Sequence, residues 1–449
     1  MAKRISEYIG IRFNAAQILL FGYMLFIIIG AGLLMMPVSS AQNVNLSLEN
    51  AIFTAISAIS GTGLTIVDTA TYFSFFGQMV IMMLIQIGNI GYMIFFALAV
   101  VLLGGRISLF NKLIIRHSIS HTKLRLKQFV IKVFKYTLIV EGAAALLLSV
   151  YWMGEMPPDE AVKHGVFNSI SSFCNAGFSL FTTNLVEFRN DYFVNLVIVL
   201  TAFLGSIGFF VLYDISALFK ASLKKARYKL ATHSRLVISV TLAIIFFSTV
   251  YYFVVENAIA KNHGADTLLE AFFLASSSST TLGYNTVDIS QLEQASLIGV
   301  MIEMFIGASP SGTGGGIKTT VFAIMCLSLI AFIRDRKHVN VFNREIHPGI
   351  IARAFSISLL ALFWLLFSVT LLSLVEGKEF IMILFESTSA LGNNGLSMGI
   401  TPYLTTAGKV ILSLSMLIGR MGPLIVGYTL LGHKNELHYK YPEGNILIV

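Results

Sequence analysis

Four glycines sit in stretches whose residue types could hold a cation without any side-chain ligand. They are Gly63 in SAISGTGLT (57–65), Gly177 in SSFCNAGFS (171–179), Gly283 in SSTTLGYNT (278–286) and Gly395 in SALGNNGLS (389–397). Each stretch approaches its glycine through small residues. It leaves through a bulky apolar or aromatic residue and a Ser or Thr, with Asn285 intervening in the third. Glycine accepts φ > 0 at low cost, which lets successive carbonyls face one side of the chain. Carbonyl oxygens are natural substitutes for the water shell of a dehydrated monovalent cation. One such stretch alone reads more readily as small residues permitting close helix packing. Four copies, recurring in register along the whole chain at 63, 177, 283 and 395, read as four contributions to one site.

The elements that must hold these loops are apolar. The 449 residues are 56% hydrophobic and 12% charged, whereas soluble domains carry about 25% charged residues. Mean hydropathy is +0.79. Eight apolar runs lie near 17–39, 72–103, 130–153, 192–219, 234–256, 292–333, 351–375 and 403–432. Each reaches the roughly 20 residues that a helix needs to cross the hydrocarbon. Their length, and the Gly and Pro inside them, exclude a β-barrel. The basic N-terminus leads into the first run without a small-residue cleavage site, so a spanning helix is expected there and not a removed signal. The glycine stretches lie in segments 48–69, 160–184, 265–288 and 379–399, too short and polar to span. Residues such as 49–57 have helical spacing. Half-helices there would aim their negative C-terminal ends at a central cavity and favour a cation.

Charge sets the expected topology. The N-terminal segment 1–15, the loops 104–135, 214–235 and 331–353, and the tail 433–449 together hold 24 basic and six acidic side chains. The opposite connections, 40–70, 154–191, 256–294 and 376–402, hold four basic and 15 acidic. By the positive-inside rule both termini are cytoplasmic, and the four glycine loops enter and return on the outside. The formal charge of +8 then reflects topology, not nucleic acid. Cys174 and Cys326 form neither a disulfide framework nor a metal cluster, and no nucleophile–base pattern indicates an enzyme.

A second mark follows three of the loops: Gly88-Asn-Ile-Gly91, Gly205-Ser-Ile-Gly208 and Gly419-Arg-Met-Gly422. In the third repeat Gly307-Ala-Ser-Pro310 falls at the corresponding distance past Gly283, and an insertion follows. The expected fold is all-α and integral to the membrane: four helix–pore-loop–helix repeats, eight spanning helices, around a pseudo-fourfold pore axis. Repeat boundaries are 1–103, 104–219, 220–333 and 334–449.

The segment 307–316 holds five glycines in ten positions, beside Pro310. Gly312 to Thr319 is not a phosphate loop, because Ile317 separates the glycines from Lys318. Its place in an apolar run predicts an unwound segment where the other repeats keep a continuous helix. There it would obstruct a cavity below the loops, with the hydroxyls of Ser309, Ser311 and Thr313 available to Arg420. Charges at membrane depth are functional candidates. Lys318 either acts there or snorkels, and Glu141, near a helix start, pairs with a neighbouring helix or serves function, as does Glu303. Asp68 and Asp288, each five positions past its glycine, either concentrate cations at an outer mouth or sit in solvated turns.

These motifs resemble the superfamily of K+ transporters that includes the Trk, Ktr and plant HKT proteins, with the Ktr membrane subunits closest. The resemblance rests on Thr62-Gly63-Leu64-Thr65, Asn175-Ala176-Gly177-Phe178, Thr281-Leu282-Gly283-Tyr284-Asn285-Thr286 and Asn393-Asn394-Gly395-Leu396-Ser397, and covers essentially the whole chain. It implies a K+ selectivity filter with one glycine per repeat, where all four glycines go with K+ preference. The fourth loop departs, with Asn393-Asn394 where Thr-Val is common. It further implies that Gly307, Ser309, Pro310, Ser311, Gly312, Thr313, Gly314, Gly315 and Gly316 form an intramembrane gate, which Arg420, a charge at membrane depth, is expected to contact. Also implied are a homodimer in the cell membrane, a cytoplasmic ring of nucleotide-binding subunits of the RCK/KTN type on the basic face, and Na+ as a candidate coupling ion. No organic cofactor is expected. A second class shares the repeats and the broken helix: a secondary active cation transporter with alternating access. Inverted repeats would mark that class, whereas these four enter from one side.

Overall fold

The computed structural model describes residues 15–91, 126–258 and 268–422. The N-terminal segment, most of the loop 104–135 and the tail 433–449, which carry part of the charge argument, lie outside the described residues.

One unit recurs: a helix, a shorter helix, a loop, and a third helix. In order these are Ala15–Leu34 (α1), Leu48–Ser60 (α2) and Phe75–Ile90 (α3), then Leu126–Trp152 (α4), Pro158–Phe173 (α5) and Tyr192–Ser206 (α6) with Phe209–Leu223 (α7). Next come Thr232–Ala258 (α8), Leu268–Thr280 (α9) and Gln294–Ile306 (α10) with Thr319–Ile333 (α11). The last are Pro348–Val375 (α12), Phe380–Gly392 (α13) and Thr406–Met421 (α14). Among the described residues the only strands form a short hairpin, Asn340–Val341 (β1) with Arg344–Glu345 (β2). Among the described residues Phe129–Trp152, Thr232–Asn257 and Pro348–Val375 are each long and apolar enough to cross a membrane, and the α6–α7 pair reaches that length only when its two bent halves are taken together.

The short helices have local reasons to start and stop. Pro158 opens α5 with Asp159 and Glu160 in its first turn, and Glu49 and Glu270 occupy the first turns of α2 and α9. A proline whose N–H is not needed, and acids at the positive end of the helix, both favour a start there. Their far ends close alike. Thr62, Ala176, Leu282 and Asn394 each donate a backbone N–H to the carbonyl five positions back, on Ser57, Ser171, Ser277 and Ser389. That is the helix-ending bond that a left-handed residue makes possible.

Packing closes the four units into a ring. α3 touches α5, α6 touches α9, α10 touches α13, and α14 touches α2, so the last helix of each unit meets the short helix of the next. Phe53, Phe167, Phe273 and Phe385 stand ten positions before each loop glycine, and all four are buried. Apolar side chains that face outward, such as Phe247, Phe363 and Leu374, suit a lipid environment.

The expectation of a continuous helix over 192–219 is corrected. α6 and α7 meet at 101°, because Gly208 takes φ 97, ψ 135, where no helix can continue. Gly91 (φ 90, ψ 115) and Gly422 (φ 86, ψ 134) end α3 and α14 in the same way. The third unit is also realigned. Ile317 and Lys318 donate to the carbonyls of Phe305 and Ile306 at 3.2 and 2.9 Å. In an uninterrupted helix those carbonyls would accept from positions 309 and 310. The insertion is thus an eight-residue excursion, and the counterpart of the terminal glycine is Lys318 (φ 91, ψ 136), not Pro310.

Candidate functional site

The four glycines meet. A Cβ built on Gly63 would stand 2.9 Å from the Cα of Gly177, one on Gly177 3.2 Å from that of Gly283, and one on Gly395 3.2 Å from that of Gly63. The same constructions at Gly63, Gly283 and Gly395 fall 2.4, 2.1 and 2.1 Å from the carbonyl oxygens of Ala176, Asn394 and Thr62. Each oxygen belongs to the residue just before the neighbouring glycine, so three of the four junctions interlock carbonyl to glycine, and Gly177 meets Gly283 backbone to backbone. No side chain fits between them.

In each loop the backbone has positive φ at two alternate residues: Gly61 and Gly63, Asn175 and Gly177, Thr281 and Gly283, Asn393 and Gly395. Alternation in the sign of φ turns successive peptide planes the same way, which lines carbonyls along one side. Asn tolerates the left-handed region. Thr281, at φ 58, is β-branched and strained there, and Gly315 N–H donates to its hydroxyl at 3.1 Å.

Side chains brace the loops from behind. Ser57 Oγ and Ser389 Oγ accept from Gly63 N–H and Gly395 N–H at 3.1 Å each, and Ser277 Oγ donates to the Tyr284 carbonyl at 2.6 Å. These serines, six positions before their glycines, escaped the sequence reading, as did the phenylalanines at ten. Asn393 Nδ2 donates to the Met416 carbonyl at 2.8 Å and to Thr62 Oγ1 at 2.9 Å. Asn394 Nδ2 reaches across to the Ser277 and Ser278 carbonyls at 3.2 and 3.0 Å. The departures in the fourth loop are therefore braces to the first and third.

The segment 307–316 lies against the ring and inside the bend of the second unit. Ser309 N–H donates to the Ser206 carbonyl at 3.2 Å, Thr313 N–H to Gly205 O at 3.1 Å, and Phe209 N–H to Ser311 O at 3.1 Å. The expected bonds from Arg420 to hydroxyls are corrected. Arg420 donates to the Thr313 carbonyl, and to the Gly88 and Asn89 carbonyls at 3.0 Å each. The Ser309 hydroxyl is engaged by Thr319 at 3.0 Å, and that of Thr313 by Asn175 and Phe173. A guanidinium has five donors and suits carbonyl clusters, whereas these two hydroxyls were already satisfied within the fold.

The other singled-out charges are tied. Lys318 does not snorkel: its Nζ donates to the Gly314 and Gly315 carbonyls at 2.8 and 3.1 Å. Glu303 accepts from Tyr252 at 2.9 Å and from Ser278. Glu141 lies mid-way along α4, not near its start, and accepts from Gln86 at 2.9 Å. Asp68 and Asp288 cap the turns that follow their loops, through Ala70 N–H at 2.9 Å and Ser290 N–H at 3.0 Å.

Four loops thus meet at their glycines, backed by the C-terminal ends of α2, α5, α9 and α13. Residues 12–431 match the family TrkH, described as cation transport protein. The chain belongs to that family. It is 36% identical to Ktr system potassium uptake protein B of Bacillus subtilis (strain 168) over 442 residues, 97% of each chain. It is 33% identical to the protein of the same name from Vibrio alginolyticus over 436 residues, 96% of this chain and 94% of that one. Its fold is similar to the crystal structure of the potassium transporter TrkH from Vibrio parahaemolyticus, with a TM-score of 0.72 at 18% identity, covering 92% of this chain and 84% of the other. This member of the TrkH family is a multi-pass membrane cation transporter and not an enzyme.

Proposed function

We propose that this chain takes K+ into the cell through the ring of loops, which acts as a selectivity filter. The carrying observation is the interlock: the Cβ positions of Gly63, Gly283 and Gly395 coincide with carbonyl oxygens of the neighbouring loop. Such a ring presents backbone oxygens at fixed spacing and has no room for side chains. The coordinating residues are Thr62 and Gly63, Asn175 to Gly177, Thr281 to Gly283, and Asn393 to Gly395. The ends of α2, α5, α9 and α13 add negative dipole potential at the same place. Relatives named for potassium uptake support the choice of ion.

The same reading has eight spans in four repeats, bounded at 103, 219 and 333, with both termini cytoplasmic. The loop 307–316 closes the path beneath the filter, held by Arg420. The active form is a homodimer on a cytoplasmic ring of nucleotide-binding subunits, with Na+ as a coupling ion. The test is flux through the purified chain in liposomes. K+ and Rb+ should exceed Na+, with turnover above about 10⁴ per second, beyond ordinary catalytic cycles. Equal K+ and Na+ flux would remove the filter. Slow, saturating turnover would favour alternating access, a class that the broken α6–α7 and α10–α11 helices also fit.

A further inference from the structure

The brace behind the second filter loop differs from the one behind the fourth. Asn175 and Asn393 occupy equivalent positions, two before their glycines, both at φ 50. Each amide donates one bond to its own unit's third helix, at Ala202 O (3.3 Å) and Met416 O (2.8 Å). Asn175 also reaches the Phe173 carbonyl at 3.4 Å, and a further bond diverges between the two. Asn393 donates to Thr62 Oγ1, inside the ring, at 2.9 Å. Asn175 donates to Thr313 Oγ1, in the loop 307–316, at 2.7 Å. The Thr313 hydroxyl in turn donates to the Phe173 carbonyl, at the end of α5, at 2.9 Å. In the third loop, Thr281 takes its bond from Gly315 N–H of the same segment. Two of the four filter loops are thus held in their left-handed conformation by the loop 307–316. The first and fourth are held by each other and by their own helices, with Asn394 of the fourth also donating to the Ser277 and Ser278 carbonyls behind the third.

We infer that Thr313 is a selectivity-determining positioning residue, through which the loop 307–316 and the filter are coupled. The inference rests on the reading of the ring as a filter. When the loop moves, Asn175 at φ 50 keeps its bond to Ala202 but loses Thr313, and Thr281 at φ 58 loses Gly315, which weakens the hold on both left-handed residues. Their peptides then relax toward the ordinary region, and the carbonyls of the second and third loops turn from the axis. Coupling is reciprocal, so the ion in the filter also sets the position of the loop.

The experiment compares the full chain with Thr313→Val, Thr313→Ser and Gly63→Ser in liposomes, measuring K+ uptake against Na+ competition. Thr313→Val keeps the shape and removes both bonds. It should lower K+ over Na+ discrimination about fivefold, equivalent to about 1 kcal/mol at roughly 1.4 kcal/mol per tenfold. Thr313→Ser should recover most of it. If Thr313→Val changes flux alone while Gly63→Ser lowers discrimination, the coupling is overturned and the filter stands. If neither alters discrimination, the filter reading falls as well. A second measurement leaves Thr313 intact and so does not depend on that variant folding. A thiol placed by Ser311→Cys should react at least twofold differently in K+ and in Na+, and equal rates would overturn the coupling.

Discussion

Lys318 and Gly422 share one backbone conformation: φ 91, ψ 136 at the lysine and φ 86, ψ 134 at the glycine. A lysine therefore stands where the other three units place glycine to end a helix. It holds a strained geometry that costs about 1–3 kcal/mol, and its ammonium fastens the carbonyls of Gly314 and Gly315.

This pairing predicts an inverted order of stability at position 318. Lys318→Gly relieves the strain and loses the tether, whereas Lys318→Ala loses the tether and keeps the strain. Thermal unfolding in detergent should find the alanine variant less stable than the glycine variant by about 1–3 kcal/mol. Both should conduct more K+ than the wild type, because the proposed gate has lost an anchor.

Serine substitutions around the ring should differ in severity. At Gly63, Gly283 and Gly395 a Cβ meets a carbonyl oxygen at 2.4 Å or less, while at Gly177 the nearest atom is 3.2 Å away. Gly177→Ser should keep the most K+ preference, with the other three losing it about tenfold or folding poorly. Ion-competition assays on the four variants would expose the error if Gly177→Ser proved the worst.

Arg420→Ala should raise K+ flux several-fold. The guanidinium joins Thr313 of the loop to Gly88 and Asn89 of α3, and three charged-donor bonds are worth about 1.5–3 kcal/mol each. Deleting about five residues within 309–315 should act in the same direction, since it shortens a segment rich in glycine that has no regular structure to keep. Flux that falls in both variants, at normal expression, would mean that the segment supports the pore and does not close it.

Arg189 donates to Glu270 at 2.9 Å, and the glutamate is wholly buried while the arginine is 38% exposed. Stranding a buried charge costs about 3–5 kcal/mol, and the arginine's exposure screens part of that. Arg189→Ala should lower stability by about 1–3 kcal/mol, read as a fall in melting temperature, and Glu270→Gln should recover part of the loss in the double variant.

Lys224, Lys225 and Arg227 form an exposed basic cluster just past α7. Neutralising all three should weaken co-purification with a cytoplasmic regulatory partner and leave the K+/Na+ ratio unchanged. Undiminished association would leave the cluster as a topology signal.

Much of this protein is legible in its sequence because the membrane restricts what a chain can do. Without water, a non-helical backbone needs protein around it, so a Gly/Ser/Thr-rich interruption between apolar runs announces a loop. Fourfold recurrence at Gly63, Gly177, Gly283 and Gly395 then announces a shared axis. The GxxG marks were equally visible, but their spacing cannot say that Gly208 turns the chain by 101°, since glycine permits a bend without requiring one. The place of Lys318 was hidden because an eight-residue excursion shifts the numbering, and only the bonds back to Phe305 and Ile306 restore it. Arg420 was legible as a charge at membrane depth. That it would choose the carbonyl of Thr313 over the nearby hydroxyls was decided by tertiary packing, which had already given Ser309 and Thr313 other partners.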